Sequence, residues 1–454
     1  MLNDTIAAIA TPLGEGGLAV VRISGRDALA VADRVFVPAG KQALQPSVAA
    51  THTVHYGHVV RDGRRIDEVL LTVLRAPRTF TREHTAEISC HGGLLVTRLV
   101  LEAVLAAGAR VAEPGEFTQR AFLNGRLDLA QAEAVADLIH ARTELALGAA
   151  EEQLAGKLSA RIHELRDELM RTLAHVEAHL DFPDEDISPD TREALLGRLH
   201  RGVTFMDGLL RTAREGQILR RGVRAAIVGR PNAGKSSLLN QLLGHERAIV
   251  SPVAGTTRDT VEETANVRGI PVVFIDTAGL RDTKNAVEAE GVRRSRAALE
   301  RAELLLHVID AGEPLEPEDT QLLTEFSDRP RVLVLNKSDR PRRLELQEPY
   351  QGLPVCCATG AGIEALKDEL ERIVWSGRVS GEQLQVTVNA RHADALRRAR
   401  EATERAAGGL AANESLELTA LELRIAAQAV GEIVGKTTTD DLLDAIFSQF
   451  CLGK

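Results

Sequence analysis

Aromatic residues are scarce in this 454-residue chain, which contains one tryptophan, two tyrosines and ten phenylalanines. Because so few rings are available, its cores must be built from leucine, valine, isoleucine and alanine. Cysteine is also rare: Cys90, Cys356, Cys357 and Cys451 show neither a zinc-ligand spacing nor a disulfide framework. We therefore expect a chain that works in a reducing compartment.

Long apolar segments and an excess of basic charge are also missing. No run of about 18 apolar residues could span a membrane, and the stretch Met1–Ile6 lacks the charged start and apolar core of a signal peptide. A cytoplasmic protein is therefore expected. The net charge of −10 argues against a general nucleic-acid coat but allows a local basic groove. The length suggests about three ordinary globular domains.

The most informative motif lies near the middle of the chain. Residues Gly229 to Ser236 read G-x-x-x-x-G-K-S, between an apolar run at 223–228 and a second apolar stretch that begins at Leu238. A strand, a glycine loop and a helix in this order form a phosphate-binding loop, whose backbone N–H groups attract phosphate oxygens. Lys235 would reach the β- and γ-phosphates, and the Ser236 hydroxyl would ligate Mg²⁺.

Three further motifs follow in the order of a guanine-nucleotide site. Residues 255–259 (Gly-Thr-Thr-Arg-Asp) would form a switch segment that supplies a threonine to Mg²⁺, and 276–279 (Asp-Thr-Ala-Gly) would sense the γ-phosphate. Asn336-Lys-Ser-Asp339 follows a strand-like run at 331–335. Its aspartate can accept from the N1–H and N2–H₂ of guanine, which adenine lacks. These motifs predict a Ras-like P-loop GTPase domain with a parallel α/β sheet.

Two catalytic roles stay open at this level. Leu280 stands where many small GTPases have a glutamine that orients the attacking water. Glu288 is the nearby candidate for that role, and a solvated switch-loop residue is the alternative interpretation. Positive charge at the phosphates could come from Arg258 or Arg281, either of which could instead form a surface pair. It could also come from a monovalent cation bound by the side-chain carbonyl of Asn232.

The regions outside the GTPase motifs have their own patterns. Short strand-like runs and turn signals predict a small α+β domain over residues 1–122. Apolar residues spaced by three and four from Leu154 to Leu180 predict one long amphipathic helix, and a second helical segment is expected from about Asp190 to Leu219. Further helices are predicted over 390–407 and 415–434 and after an N-cap at Thr439.

The order of these segments favours an insertion. We predict an N-terminal domain, a helical domain in two parts and a GTPase domain between those parts, at residues 1–122, 123–218, 219–378 and 379–454. Two independent helical domains are the alternative. Near the C-terminus, Cys451 could act as a nucleophile or redox partner, or it could pack with Phe447 and Phe450.

Motifs at both ends of the chain resemble those of the tRNA modification GTPases of the MnmE (TrmE) type. The resemblance covers essentially the whole chain and is carried by residues 4–6, 10–12, 16–17, 21–25, 87–93, 114–118, 120–134, 255–259, 276–281 and 450–454. It implies an N-terminal folate-binding domain that also forms a homodimer, and a helical domain interrupted by the GTPase domain.

The resemblance also implies an activity and partners. Such proteins work as a heterotetramer with the flavin-dependent MnmG (GidA), which carries FAD. Together they attach a (carboxymethyl)aminomethyl-type group at C5 of the wobble uridine, position 34, of certain tRNAs. A 5-formyl- or methylene-tetrahydrofolate supplies the one-carbon unit. GTP hydrolysis, which requires K⁺ and Mg²⁺ and pairs the GTPase domains across the dimer, drives the modification.

The same resemblance assigns site residues by position. Folate would contact Arg22, Glu87, Arg126 and Lys454; K⁺ would contact Asn232, Ser251, Val253 and Thr256; and Mg²⁺ would contact Ser236 and Thr257. Glu288, Arg281 and Cys451 would be catalytic. The GTP site would comprise Asn232, Ala233, Gly234, Lys235, Ser236, Ser237, Ser251, Pro252, Val253, Ala254, Gly255, Thr256, Thr257, Asp276, Thr277, Ala278, Gly279, Asn336, Lys337, Asp339, Cys356, Cys357 and Ala358.

Two segments depart from the family pattern. The guanine loop usually reads Ser-Ala before Thr-Gly, but here it contains Cys356 and Cys357, which could make the loop sensitive to oxidation. Residues 80–84 (Phe-Thr-Arg-Glu-His) differ from the family's Thr-Gly-Glu and receive no role.

Two alternative functions remain. One is a regulatory GTPase that binds RNA or the ribosome without doing chemistry, and the other is a scaffold that works only by nucleotide-driven dimerisation.

Overall fold

The computed structural model describes residues 4–40, 44–181, 189–244, 262–275, 300–327, 329–346, 350–375 and 387–454. The strands are β1 Ile6–Ile9, β2 Gly16–Ser24, β3 Phe36–Pro38, β4 Thr53–Arg61, β5 Arg64–Leu74, β6 Thr85–Gly92, β7 Arg110–Val111, β8 Val223–Val228, β9 Glu263–Val267, β10 Ile270–Phe274, β11 Leu304–Asp310, β12 Arg331–Asn336 and β13 Leu353–Pro354. The helices are α1 Ala28–Val35, α2 Leu94–Ala106, α3 Glu116–Leu123, α4 Leu129–His140, α5 Glu144–Leu154, α6 Lys157–Asp181, α7 Pro189–Arg211, α8 Ala213–Arg221, α9 Lys235–Leu243, α10 Pro317–Glu325, α11 Ile363–Trp375, α12 Ala390–Ala411, α13 Leu416–Val434 and α14 Asp440–Phe447.

These elements form two compact units. The first contains Met1–Ala136, Leu154–His200 and Glu401–Lys454, and the second contains Asp137–Gln153 and Arg201–Arg400. No helix among the described residues is long and apolar enough to cross a membrane.

The first unit contains a seven-stranded sheet in the order β3-β4-β5-β6-β2-β1-β7. Its strands pair antiparallel except for β1 with β7, which are parallel. Helices α1 and α2 pack on this sheet, because alternate strand residues such as Val21 and Ile88 form one core with helix residues such as Val31 and Val100. The structure therefore confirms the α+β fold predicted for the N-terminal part.

The observed helices differ from the predictions in two places. The long apolar face does not begin at Leu154, since α5 ends there and α6 starts at Lys157. The segment expected from Asp190 to Leu219 is two helices, because α7 ends at Arg211 and α8 begins after Thr212. The periodicity of apolar residues continues across both breaks, which is why it could not reveal them. The N-cap is confirmed, because Thr439 Oγ1 accepts from the Leu442 N–H at 3.4 Å.

The second unit contains a six-stranded sheet in the order β13-β12-β11-β8-β10-β9. All pairs are parallel except β9 with β10. The strands predicted at 223–228 and 331–335 are present as β8 and β12. In a parallel sheet the carboxyl ends of the strands meet at one edge, where ligands bind. The phosphate-loop motif follows β8, and Asp310 and Asn336 end β11 and β12 at this edge.

Candidate functional site

The phosphate-loop motif folds as a loop between β8 and α9. Gly234, the residue before α9, has a φ of 102°, and a Cβ placed on it would lie 2.0 Å from Asn336 Nδ2. Only glycine therefore fits between the loop and the end of β12. Helix α9 starts at Lys235, so its unpaired N–H groups and the positive end of its dipole lie at the loop.

Lys235 folds back over this loop. Its Nζ donates to the carbonyl oxygens of Gly229 at 2.7 Å and Arg230 at 2.8 Å. Burial lowers the pKa of the Lys235 ammonium. An anionic phosphate beside Nζ would favour the charged form and raise this pKa again. The side chain is thus positioned to bind a phosphate.

Asn336 joins two parts of the site. Its side chain is only 2% exposed, and its Nδ2 donates to the Ala233 carbonyl at 2.8 Å. Its Oδ1 accepts from the Cys357 N–H at 3.1 Å. Asn336 therefore fixes the distance between the phosphate loop and the loop at 356–358, which would lie behind a bound base.

Asp339 and Lys337 each contact a partner that holds them at the carboxyl edge of the six-stranded sheet. Cys356 Sγ lies 3.2 Å from Asp339 Oδ1, and Lys337 Nζ lies 2.5 Å from Asp310 Oδ2. Burial acts to raise the pKa of Asp310, but bonds from Lys337 and the Gly312 N–H outweigh burial and lower it. Asp310 was missed from the sequence, although its place at the end of β11 matches that of Asn336 on β12.

A cavity of about 490 Å³ connects these groups. Of the predicted GTP-site residues, its lining includes Asn232, Gly234, Lys235, Ser236, Ser237, Asn336, Lys337, Asp339, Cys356, Cys357 and Ala358. Pro231 and Arg340 also line it and were not predicted. Ala233 is a buried residue of the loop, and its carbonyl accepts from Asn336 Nδ2. The phosphate-binding and base-recognition motifs therefore meet around one space.

Other predicted residues lie outside the described part of the chain. These are Ser251, Pro252, Val253, Ala254, Gly255, Thr256, Thr257, Asp276, Thr277, Ala278, Gly279, Arg281 and Glu288. Within the described ranges, His, Cys, Asp and Glu side chains form no group of three or more that could hold a metal ion.

The first unit contains a second polar cluster, at residues Arg22, Glu87 and Lys454. Arg22 on β2 faces Glu87 on β6, and their Nε and Oε1 atoms are 2.8 Å apart. Arg22 Nη1 also donates to the Gly453 carbonyl at 3.3 Å. Burial and the Arg22 charge lower the pKa of Lys454, while Glu87 acts in the opposite direction. This cluster presents two cations and one carboxylate.

Residues 451–454 dock against β1 and α3. The Phe117 N–H donates to the Lys454 main-chain oxygen at 3.2 Å, and the Gly115 N–H donates to the Cys451 carbonyl at 3.4 Å. Gly453 has a φ of 86°, and a Cβ there would lie 2.4 Å from the Ile9 carbonyl oxygen. Cys451 itself is exposed and is not a member of the buried cluster that contains Phe447 and Phe450.

Arg126 is not part of the Arg22–Glu87 ion pair. It contacts residues near an apolar cluster of the first unit instead. Its guanidinium is 5.0 Å from the centre of the Phe80 ring, and its Nη1 donates to the Thr79 carbonyl at 2.9 Å. Phe80 packs on the cluster that contains Phe117, and Arg22 lies 5.6 Å from the Phe117 ring. Two guanidiniums thus stand over two rings of one apolar cluster.

Comparisons with known proteins cover nearly all of the chain. A family model described as GTP-binding protein TrmE N-terminus matches residues 5–126, and one described as MnmE helical domain matches residues 129–451. The tRNA modification GTPase MnmE of Geobacillus kaustophilus is 46% identical over 99% of both chains. Its counterpart from Chloroflexus aurantiacus is 48% identical over 100% of both.

A solved structure of an Aquifex aeolicus Era variant bound to GDP and aluminium fluoride is 28% identical over 39% of this chain and 66% of that chain. Its TM-score of 0.26 is too low to support a structural argument. The two family models and the two full-length relatives show that this chain belongs to the tRNA modification GTPase MnmE family.

Proposed function

We propose that this protein is a potassium-dependent GTPase that modifies the wobble uridine of certain tRNAs at C5. It works with a flavin-dependent partner of the MnmG type, which carries FAD, and the product bears an aminomethyl-type group. The observation that carries the proposal is the presence, in one chain, of the guanine-nucleotide cavity and the docked segment 451–454 beside Arg22 and Glu87.

The nucleotide site divides the work of binding GTP among its residues. The loop amides and Lys235 bind the phosphates, while Asp339 accepts from the guanine ring and selects against adenine. Ser236, at the start of α9, and Thr257 would hold Mg²⁺. The oxygen donors of Asn232, Ser251, Val253 and Thr256 suit K⁺, whose charge would stabilise the phosphates as an arginine finger does. Glu288 would position water, with Arg281 nearby.

The second cluster fits a folate. A folate carries glutamyl carboxylates, which can pair with Arg22, Arg126 or Lys454, and a pterin ring whose N–H groups can donate to Glu87. When bound, a tetrahydrofolate derivative would supply the one-carbon unit. The exposed Cys451 stands next to this cluster in the chain and is available for reaction. A homodimer through the N-terminal domain and a heterotetramer with the partner complete the proposal.

Mass analysis of the wobble uridine tests the function directly. tRNA from cells that lack this protein should carry unmodified uridine at position 34 in the affected tRNAs. Expression of the intact chain should restore the modified base. Normal modification in the deletion strain would instead leave a regulatory GTPase as the function.

Potassium should stimulate GTP hydrolysis at least about tenfold over sodium at equal ionic strength, because a bound cation neutralises charge that develops between the phosphates. Steady-state phosphate release in KCl and NaCl measures this effect. Asn232→Ala should lose the stimulation, whereas Asn240→Ala, on the exposed side of α9, should keep it. Equal rates in the two salts would remove the cation from the mechanism.

Cys451→Ser should abolish tRNA modification while GTP turnover remains near that of the natural protein. The thiol is exposed in the first unit, whereas the nucleotide cavity belongs to the second. Both activities should be measured on the same preparation. Leu452→Ala is the matched control, because Leu452 is a neighbouring side chain with 59% exposure. If the serine variant modifies tRNA normally, Cys451 has no chemical role.

A further inference from the structure

Arg82 is an exposed cation beside Arg126, in the segment that departs from the family pattern. Arg82 Nη1 donates to the Asn124 carbonyl at 3.0 Å, and a Cβ placed on Gly125 would lie 3.6 Å from the same nitrogen. Burial lowers the pKa of Arg126, and the charge of Arg82 lowers it further. Two guanidiniums therefore lie close enough to repel each other.

The backbone around this pair is held in place. Asn124 Nδ2 donates to the Thr81 carbonyl at 2.7 Å, and Arg126 Nη1 donates to the Thr79 carbonyl at 2.9 Å. With the bond from Arg82 to Asn124, these contacts join segment 79–82 to segment 124–126. Arg82 also has a φ of 58°, in the left-handed region that a side chain of this size seldom adopts. Such strain at a non-glycine residue suggests a functional position.

Neither guanidinium has a carboxylate within 4.0 Å among the residues that the structure describes. The adjacent Glu83 instead contacts Arg120 Nη1 at 3.1 Å and Ser24 Oγ at 2.8 Å. Asp128 Oδ1 accepts from the Gln131 N–H at 2.8 Å. The pair is therefore a local excess of positive charge in a chain whose net charge is −10. A ligand with two or more anionic groups would relieve the repulsion.

We propose that Arg82 and Arg126 bind successive carboxylates of a polyglutamylated folate. This inference rests on the proposed folate site and takes Arg126, one of its three candidate cations, as the partner of the first glutamyl carboxylate. Each γ-linked glutamate adds one carboxylate to a chain that extends away from the pterin. Arg82 is exposed and its Nη1 lies at residues 124–125, next to Arg126 in the chain, so it would meet the next carboxylate. The chain thus selects folates by the length of their glutamate tail.

Calorimetry on the full-length protein tests this selection, with the mono- and triglutamate forms of 5-formyltetrahydrofolate as probes. The triglutamate should bind about tenfold more tightly, since each added charge-assisted contact is modest at an exposed site. Arg82→Gln should reduce this preference to about twofold or less. Arg78→Gln should retain it, because Arg78 is an exposed arginine of the same loop and carries the same charge.

Arg82→Gly separates charge from folding, because glycine adopts a φ of 58° without strain. It should keep the thermal stability of the natural protein and lose the triglutamate preference. Equal affinity for both folates in the natural protein would overturn the inference alone, whereas absence of any folate binding would overturn the folate site as well. If Arg82→Gln weakens tRNA binding and leaves the folate preference intact, the pair serves RNA phosphates and the inference is wrong.

Discussion

Replacing Asp339 with asparagine is expected to reverse the base preference of the nucleotide cavity from guanine to xanthine. Asp339→Asn should weaken GTP binding by about 100-fold or more and strengthen binding of xanthosine triphosphate by a similar factor. Competition between the two nucleotides against a fluorescent GDP analogue measures both affinities. This is the largest effect that we expect from a single substitution in the nucleotide site.

The physical reason lies in the direction of the hydrogen bonds. A carboxylate only accepts, so Asp339 matches the two N–H donors of guanine. An amide also donates, which leaves one guanine donor facing another donor but matches the carbonyl oxygen that xanthine has at C2. Cys356 Sγ lies 3.2 Å from Oδ1 and can donate to an amide oxygen as it does to a carboxylate. The asparagine side chain should therefore keep the contact with Cys356 that holds the aspartate in place.

Asp368→Asn is the matched control for this reversal. Asp368 is an exposed acid of α11 that contacts Arg268 at 2.6 Å and does not line the nucleotide cavity. Its loss should leave both nucleotide affinities unchanged. If Asp339→Asn keeps the natural preference for GTP, Asp339 does not read the base, and the assignment of the 336–339 motif is wrong.

Arg120→Met should destabilise the N-terminal domain by about 3–5 kcal/mol at neutral pH. Arg120 is 1% exposed and contacts Asp4 at 2.7 Å, Glu83 at 3.1 Å and Glu116 at 2.8 Å. Methionine has a similar volume but provides no positive charge for these three carboxylates. Arg110 still contacts Asp4 and Glu116 and compensates for part of the loss. Urea unfolding followed by circular dichroism measures the free energy of unfolding.

An exposed pair supplies the control for this substitution. Arg98 is 67% exposed and lies 3.5 Å from Glu102 on α2. Arg98→Met should change the free energy of unfolding by about 0.5 kcal/mol or less. A similarly small change in Arg120→Met would show that the buried network is not needed for stability.

The loss in Arg120→Met should also depend on pH. Burial acts to raise the pKa of both Asp4 and Glu116, but hydrogen bonds and charge from Arg120 and Arg110 outweigh it and lower both pKa values from 3.8 and 4.5. A carboxyl with a lowered pKa stabilises the fold above its unfolded pKa and loses that contribution as pH falls. The difference between variant and natural protein should therefore be largest near pH 7 and shrink below about pH 4.5.

Contiguous motifs and strong periodicity were predictable from the sequence. The strands at 223–228 and 331–335, the phosphate loop and the N-cap at Thr439 are all present, because each depends on neighbouring residues. The breaks after Leu154 and Arg211 were missed, since the apolar spacing runs on through them. The partners of the site residues were missed as well, because a local pattern carries no information about distant contacts.

The sequence by itself determined the ligand class and the family, because the phosphate loop and the base-recognition motif are short segments whose chemistry is complete in their own residues. Tertiary structure decided which distant groups meet. Sheet order brought Asp310 to Lys337 and Asn336 to the phosphate loop, and the β2–β6 register set Arg22 opposite Glu87. It also placed Arg82 beside Arg126, since only the packing of two loops could bring two like charges together.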